Sequence, residues 1–143
     1  MAANVTPIFV GSISGKLTEF TNANGTTEAD VFAGDASEAT RIDTLSVSTD
    51  DTAAGVIYFF LSDGTNDKKV AAIAVAASSG TLNTGATPPV DVMRHANFKP
   101  LLVADAAGNY FMDVPPGWKL RAAMNAAPTS GKCFWVAAKG GKY

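Results

Sequence analysis

Residues 105–121 favour strands and tight turns over helix. Asp105-Ala106-Ala107-Gly108-Asn109 is turn chemistry: an aspartate accepts from its own backbone two residues on, and glycine and asparagine tolerate positive φ. Tyr110-Phe111-Met112-Asp113-Val114 is aromatic and β-branched and carries no helix caps, so it reads as a strand. Pro115 and Pro116 cannot donate to a β-ladder and must end it. Pro116-Gly117 suits the centre of a type II turn. Trp118, Leu120 and Ala122 then alternate with Lys119, Arg121 and Ala123, the period of a strand with one wet face. The expectation is two paired core strands, 110–114 and 118–122, with a rigid corner between them. Lys119 and Arg121 are left for solvent or a partner.

The same punctuation runs through the rest of the chain. Pro7–Val10 is a short apolar run, and 12–20 alternates weakly, with Ile13, Leu17 and Phe20 as candidate core residues. Asn24-Gly25 is a hairpin-type signal, and 28–33 reads as a strand. In 40–48, Ile42, Leu45 and Val47 stand among polar residues. Val56–Leu61 is a continuous apolar run of strand length, expected to be covered on both faces. Ser62–Asp67 is a hairpin loop. Residues 68–77 follow as a strand with Val70, Ile73 and Val75 inside, although their alanines also suit a helix. Residues 78–89 form a long aperiodic loop of the kind that serves function or lies on a partner. Val90–His95 reads as one or two helical turns behind Pro89, and 98–104 as extended. The last strand is placed at 132–139, and 140–143 is expected to be an exposed tail.

Eight to ten short strands separated by turns make an all-β antiparallel sandwich with one short helix, in which a jelly roll fits better than an immunoglobulin-like domain. The latter needs only about 100 residues and, in its antibody form, a Cys…Trp…Cys pattern; this chain has 143 residues and one cysteine. One domain over 1–143 is the reading from length, with 1–6 as a loose arm. There is no apolar run long enough for a membrane helix and no signal-peptide pattern at the N-terminus, so synthesis in the cytoplasm is expected. Charge is unevenly placed: residues 1–63 carry nine acidic side chains against two basic, and 64–143 nine basic against four acidic. Such asymmetry implies complementary electrostatics between subunits or within the fold, and an interleaved β-topology would mix the two halves in space.

The catalytic inventory is thin. His95 is the one histidine and Cys133 the one cysteine. A catalytic imidazole needs an orienting partner and a nucleophile, and no local signature joins these two. Cys133, in apolar surroundings, reads as a buried thiol. Zinc needs more Cys and His than the chain has. The best calcium candidate, Asp63-Gly64-Thr65-Asn66-Asp67, lacks EF-hand spacing and reads as a polar turn. Gly11–Lys16 has three residues between its glycines where a phosphate loop has four. Lys119, Arg121, Lys132, Lys139 and Lys142 beside Trp118 and Trp135 hint at nucleic acid, but a sequence pI of 5.2 speaks against it. Tyr58, Tyr110 and Trp118 could stack on sugar rings, which makes a carbohydrate-binding module the rival reading; the same aromatics serve equally as core and interface anchors. No enzyme activity, cofactor or metal is expected.

Several segments together carry a resemblance: the polar N-terminus leading into Val5-Thr6-Pro7, the strand Val56–Leu61 with its Ser62-Asp63-Gly64 turn, the 105–121 segment and the Gly-Lys-Tyr end. On these the chain resembles the jelly-roll cement or decoration proteins of tailed-bacteriophage heads, most closely the type found in Bordetella-infecting podophages. The resemblance implies a structural virion protein on the capsid exterior. It would bridge subunits of the major capsid protein as a homo-oligomer, dimer or trimer, and contact neither nucleic acid nor membrane. A host-surface glycan-binding module and a tail or baseplate component are the alternatives. The candidate partner contacts are Val5 and Thr6 in the arm, Lys119 and Arg121 on the wet face, and Tyr143 at the end.

Overall fold

The structure, a computed structural model, describes residues 12–82 and 84–142. Its ten strands are β1 (Ser12–Thr21), β2 (Ala29–Ala33), β3 (Thr40–Thr49), β4 (Gly55–Ser62), β5 (Asp67–Val75), β6 (Val90–Asp91), β7 (Val103–Ala104), β8 (Tyr110–Val114), β9 (Lys119–Met124) and β10 (Cys133–Lys142). One sheet runs β1-β10-β3-β8-β7, with β6 also on β3; the other runs β2-β9-β4-β5. Every pairing is antiparallel. The all-β sandwich expected from the turn punctuation is therefore the architecture found. Its pairings include a nested set, β1 with β10, β2 with β9, β3 with β8 and β4 with β5, so the chain folds like one long hairpin rolled over on itself.

The core lies between the sheets. Ile42, Leu45, Val47 and Val136 from one sheet meet Val31, Ile57, Phe59, Ile73 and Leu120 from the other, all fully buried. In β3 the inward residues break strict alternation, since Ile42 and Leu45 are three apart. A bulge resolves this: Thr44 pairs with Lys139 and Ile42 with Gly140, leaving Asp43 as the extra residue that restores the inward phase. Gly140 makes that close approach possible, because a Cβ there would lie 1.8 Å from the Arg41 carbonyl oxygen. Phe98 enters the core from the β6–β7 connection and meets Phe59 edge-on, ring centroids 5.6 Å apart.

Several expectations are corrected. The strands at 110–114 and 118–122 do not pair: β8 binds β3 and β7, and β9 binds β2 and β4. Pro115-Pro116-Gly117 is a corner that carries the chain from one sheet to the other. It is held by Gly117 N–H on the Asp35 carbonyl (2.8 Å) and Gly34 N–H on that of Trp118 (2.9 Å). Two prolines remove the donors that a hairpin would need beside its turn. The Asn24-Gly25 turn likewise joins strands of different sheets. β4 is covered on one face only; Val56, Tyr58 and Phe60 are half-buried on the other. Residues 90–95 form a two-residue strand and a single 3-10 turn (Val92–Arg94), and 98–104 contains a second (Lys99–Leu101) where extended chain was expected. Gly140 and Gly141 are buried inside β10 and are not a tail, since the strand runs on to Lys142. The 78–89 loop lies on its own sandwich: Thr49 N–H donates to the Ser79 carbonyl (2.9 Å), and the Thr81 hydroxyl to that of Thr49 (2.8 Å). Within 68–77, where a strand was expected against the helix propensity of the alanines, β5 forms over Asp67–Val75 and stops before Ala76.

Candidate docking surface

The four sheet edges differ in kind. β7 is two residues long, and β2 is five residues long with a register break between Asp30 and Phe32. β5 opens on Asp67, Lys68 and Lys69 and has a register break against Phe59 and Phe60. Shortness, bulges and lysines are the devices that keep an edge from pairing with another chain. β1 is ten residues long and pairs with β10 along its whole length without a break. Among the described residues no strand takes its other edge.

β1 also carries the two most exposed large hydrophobic side chains, Ile13 at 79% and Leu17 at 67%. The sequence reading placed both in the core with Phe20. A signal against that was available. Residues 13 and 17 share one face of a strand, while 20 falls on the other, and the structure buries Phe20 alone. The outer face continues across the register from Leu17 to Ala137 to Ser46, from Glu19 to Trp135 to Ser48, and from Gly15 to Lys139 to Thr44. Small residues (Gly15, Ala137, Ser46, Ser48, Thr44) make up much of this face, with the charged Glu19 and Lys139 among them, Leu17 and Ile13 at its edge and half-buried Trp135 within it.

Lys119 and Arg121 do not form a free basic face. Lys119 Nζ donates to Asp30 Oδ2 at 3.0 Å. Arg121 gives its Nε to Asp30 Oδ1 (2.9 Å) and its Nη1 to Glu28 Oε2 (3.1 Å) and to Asp67. Burial raises the Asp30 carboxyl, but the Lys119 hydrogen bond and the two cations outweigh it and hold it below the ordinary value. The contact with Asp67 pushes Glu28 up, since two carboxylates there share one guanidinium. Further along, Lys142 Nζ lies 2.6 Å from Asp35 and 3.6 Å from Glu38. The acidic first half and basic second half thus meet inside one chain, across the nested strands. Val5, Thr6 and Tyr143 lie outside the described residues.

The remaining candidates are dispersed. Cys133 Sγ sits 3.8 Å from Asp50, and its thiol is pushed up to about 12 by burial first and by Glu19 and Asp50 second, so it stays protonated. His95 Nδ1 accepts the Asn97 N–H (3.2 Å). The Asp63 carboxylate accepts from Thr65 and Asn66 N–H (2.9 and 2.7 Å) and caps its own turn. Among the described residues no group of three or more His, Cys, Asp and Glu could hold a metal. Tyr58 lies under Lys69 and donates its hydroxyl to Asn125 (2.7 Å). Tyr110, in the other sheet, lies under Lys99. Trp118 packs against the core beside an open groove of about 330 Å³ lined also by Leu61, Asp63, Asn66, Lys68 and Val70. The three do not form one stacking platform. A larger open groove, about 520 Å³, is walled mainly by alanines and by Met124, Pro128 and Phe134.

No family model matches the chain, and neither does any curated protein. Among solved structures, a chain in "Structure of infectious bursal disease virus Gt strain" is similar over 93% of this chain and 32% of its own length, at 14% identity and a TM-score of 0.27. The sandwich therefore spans less than half of that chain.

Proposed function

We propose that this chain is a structural virion protein that binds the outer surface of a phage capsid and stabilises it by bridging subunits of the major capsid protein. The observation that carries the reading is the platform on the six-stranded sheet. Open, with small residues over much of it and exposed Ile13 and Leu17 at its rim, it is suited to lie against another protein rather than to enclose a small ligand. Two features support it. The nested strand pairing is how a jelly roll is wound, the fold that the resemblance to head cement proteins implies. The charged groups of β2 and β9 are spent on each other, and the apolar Ile13 and Leu17 stand exposed on the platform as its adhesive groups. Modest contacts of this kind suffice when repeated over a lattice, because each bound copy raises the effective concentration of the next contact.

The test is to assemble heads with and without this protein. Heads that lack it are expected to lose DNA or rupture at lower temperature, and restoring the protein is expected to reverse the defect. Equal heat resistance and equal packaging would sink the proposal. Binding in the presence of salt adds a second check: with Lys119 and Arg121 paired internally and Ile13 and Leu17 as the apolar contacts, attachment is expected to weaken little between about 0.05 and about 0.5 M, over which the screening length falls roughly threefold. Strong binding on a glycan array with no affinity for heads would favour the carbohydrate-binding alternative.

A further inference from the structure

We propose that the free edge of β1 is the site where a second copy of this chain adds, antiparallel, about a two-fold axis through Gly15. The strand is self-complementary about that residue. Phe20 points into the core, so in an unbroken ladder Ile13, Gly15 and Leu17 take the outer face. Centred on Gly15, the pairing sets Ile13 against Leu17 of the second copy and Leu17 against its Ile13. Both exposed hydrophobic residues of each β1 strand then find an apolar partner at once. Lys16 falls opposite Ser14 of the second copy. Moving the axis to Lys16 would place two lysines face to face, which costs energy. Moving it to Leu17 would set Ile13 against Thr21 and leave it unpartnered. Gly15 on the axis has no side chain to obstruct the approach. The edges of β2, β5 and β7 carry length, charge or register breaks that oppose such addition; β1 alone combines length, regularity and apolar outward residues. Pairing would merge the two six-stranded sheets into one continuous platform. This assembly uses no feature of a shell, so it stands or falls separately from the capsid reading.

The test uses the full-length chain. A Cβ at residue 15 meets only the Ala138 carbonyl oxygen, at the ordinary distance of 3.7 Å, so Gly15→Cys is tolerated. Under mild oxidation Gly15→Cys is expected to form a covalent dimer, and Glu19→Cys, whose copies sit four residues either side of the axis, is not; both are made with Cys133→Ser, because Glu19 lies against that thiol. Sedimentation of the unmodified chain is expected to show a concentration-dependent dimer. Leu17→Lys, at an exposed position that leaves the fold intact by circular dichroism, should weaken it by about tenfold or more through burial of an unpaired charge. Three results would overturn the proposal: a monomer at all concentrations with no cross-linking at residue 15, equal cross-linking at 15 and 19, or a dimer indifferent to Leu17→Lys.

Discussion

Asp51 shows how much one side chain can organise here. It is 2% exposed, yet its carboxylate accepts from the Thr129 amide and hydroxyl (both 2.8 Å) and from the Ala53 amide (2.9 Å). Its own carbonyl takes the Ser78 amide (2.8 Å), so one residue ties the β3–β4, β5–β6 and β9–β10 connections together. The Thr129 amide, followed by Ala53, holds the Asp51 carboxyl below its ordinary value against the cost of burial. Asp51→Ala is therefore expected to lose about 3 kcal/mol, since hydrogen bonds to a charged group are worth roughly 1.5–3 kcal/mol each and the Thr129 and Ala53 donors, on exposed residues, can recover part of the loss with water. The pH dependence has a definite sign. A carboxylate whose folded pKa is depressed contributes its full stability above the unfolded value of about 4, and loses it as pH falls towards the folded one. Urea midpoints of the native chain and the variant should differ most at neutral pH and converge in acid; a gap that widened on acidification would contradict this account.

At the scale of elements, β2 and β9 are joined by charge as well as by their ladder. Arg121 stands among Glu28, Asp30 and Asp67, with its side chain 27% exposed. Arg121→Ala removes the shared cation and leaves three carboxylates facing one another with only Lys119 to offset them. The expected loss is about 2 kcal/mol at neutral pH, less than the cost of breaking a fully buried pair and more than a surface one. It should shrink in acid as the carboxylates protonate, and Arg121→Lys should restore only part, because a point charge cannot span three partners. Chemical denaturation of the three proteins at two pH values measures this. Were Arg121→Ala as stable as the native chain, the cluster would be a surface feature without structural weight.

Across the whole molecule, the nested topology sets how the chain must fold. β10 is the central partner of both β1 and β3, and Ser12 pairs with Lys142. That sheet closes only when β1 and β10, the first and last strands described, meet. Such non-local pairing is slow, so refolding is expected on the order of milliseconds to seconds, in the range of all-β sandwiches. Stopped-flow fluorescence of Trp118 and Trp135 would follow it, and a refolding phase faster than about a millisecond would mean that β1, β10 and β3 are not assembled in the rate-limiting step. The same nesting explains the internal cancellation of charge: strands from the acidic half lie beside strands from the basic half in both sheets.

Local chemistry was enough to locate most strands and turns, because prolines, glycines and Asx residues act on their own backbone within a few residues. Asp63 and Asp105 cap the turns assigned to them, the second accepting from Ala107 and Asn109 (both 2.9 Å). It was enough, too, to make an all-β sandwich the expectation. It was not enough to say which strands pair, since a turn looks alike whether it closes a hairpin or crosses between sheets. Nor could it say which charges are free: Lys119 and Arg121 look like a wet face until β2 is laid beside them. The docking surface lay between these cases. The spacing of Ile13, Leu17 and Phe20 already required two of them on one side and one on the other. Only the packed sandwich decided which side faces the core, because that depends on where β10 lies and what stands across from it.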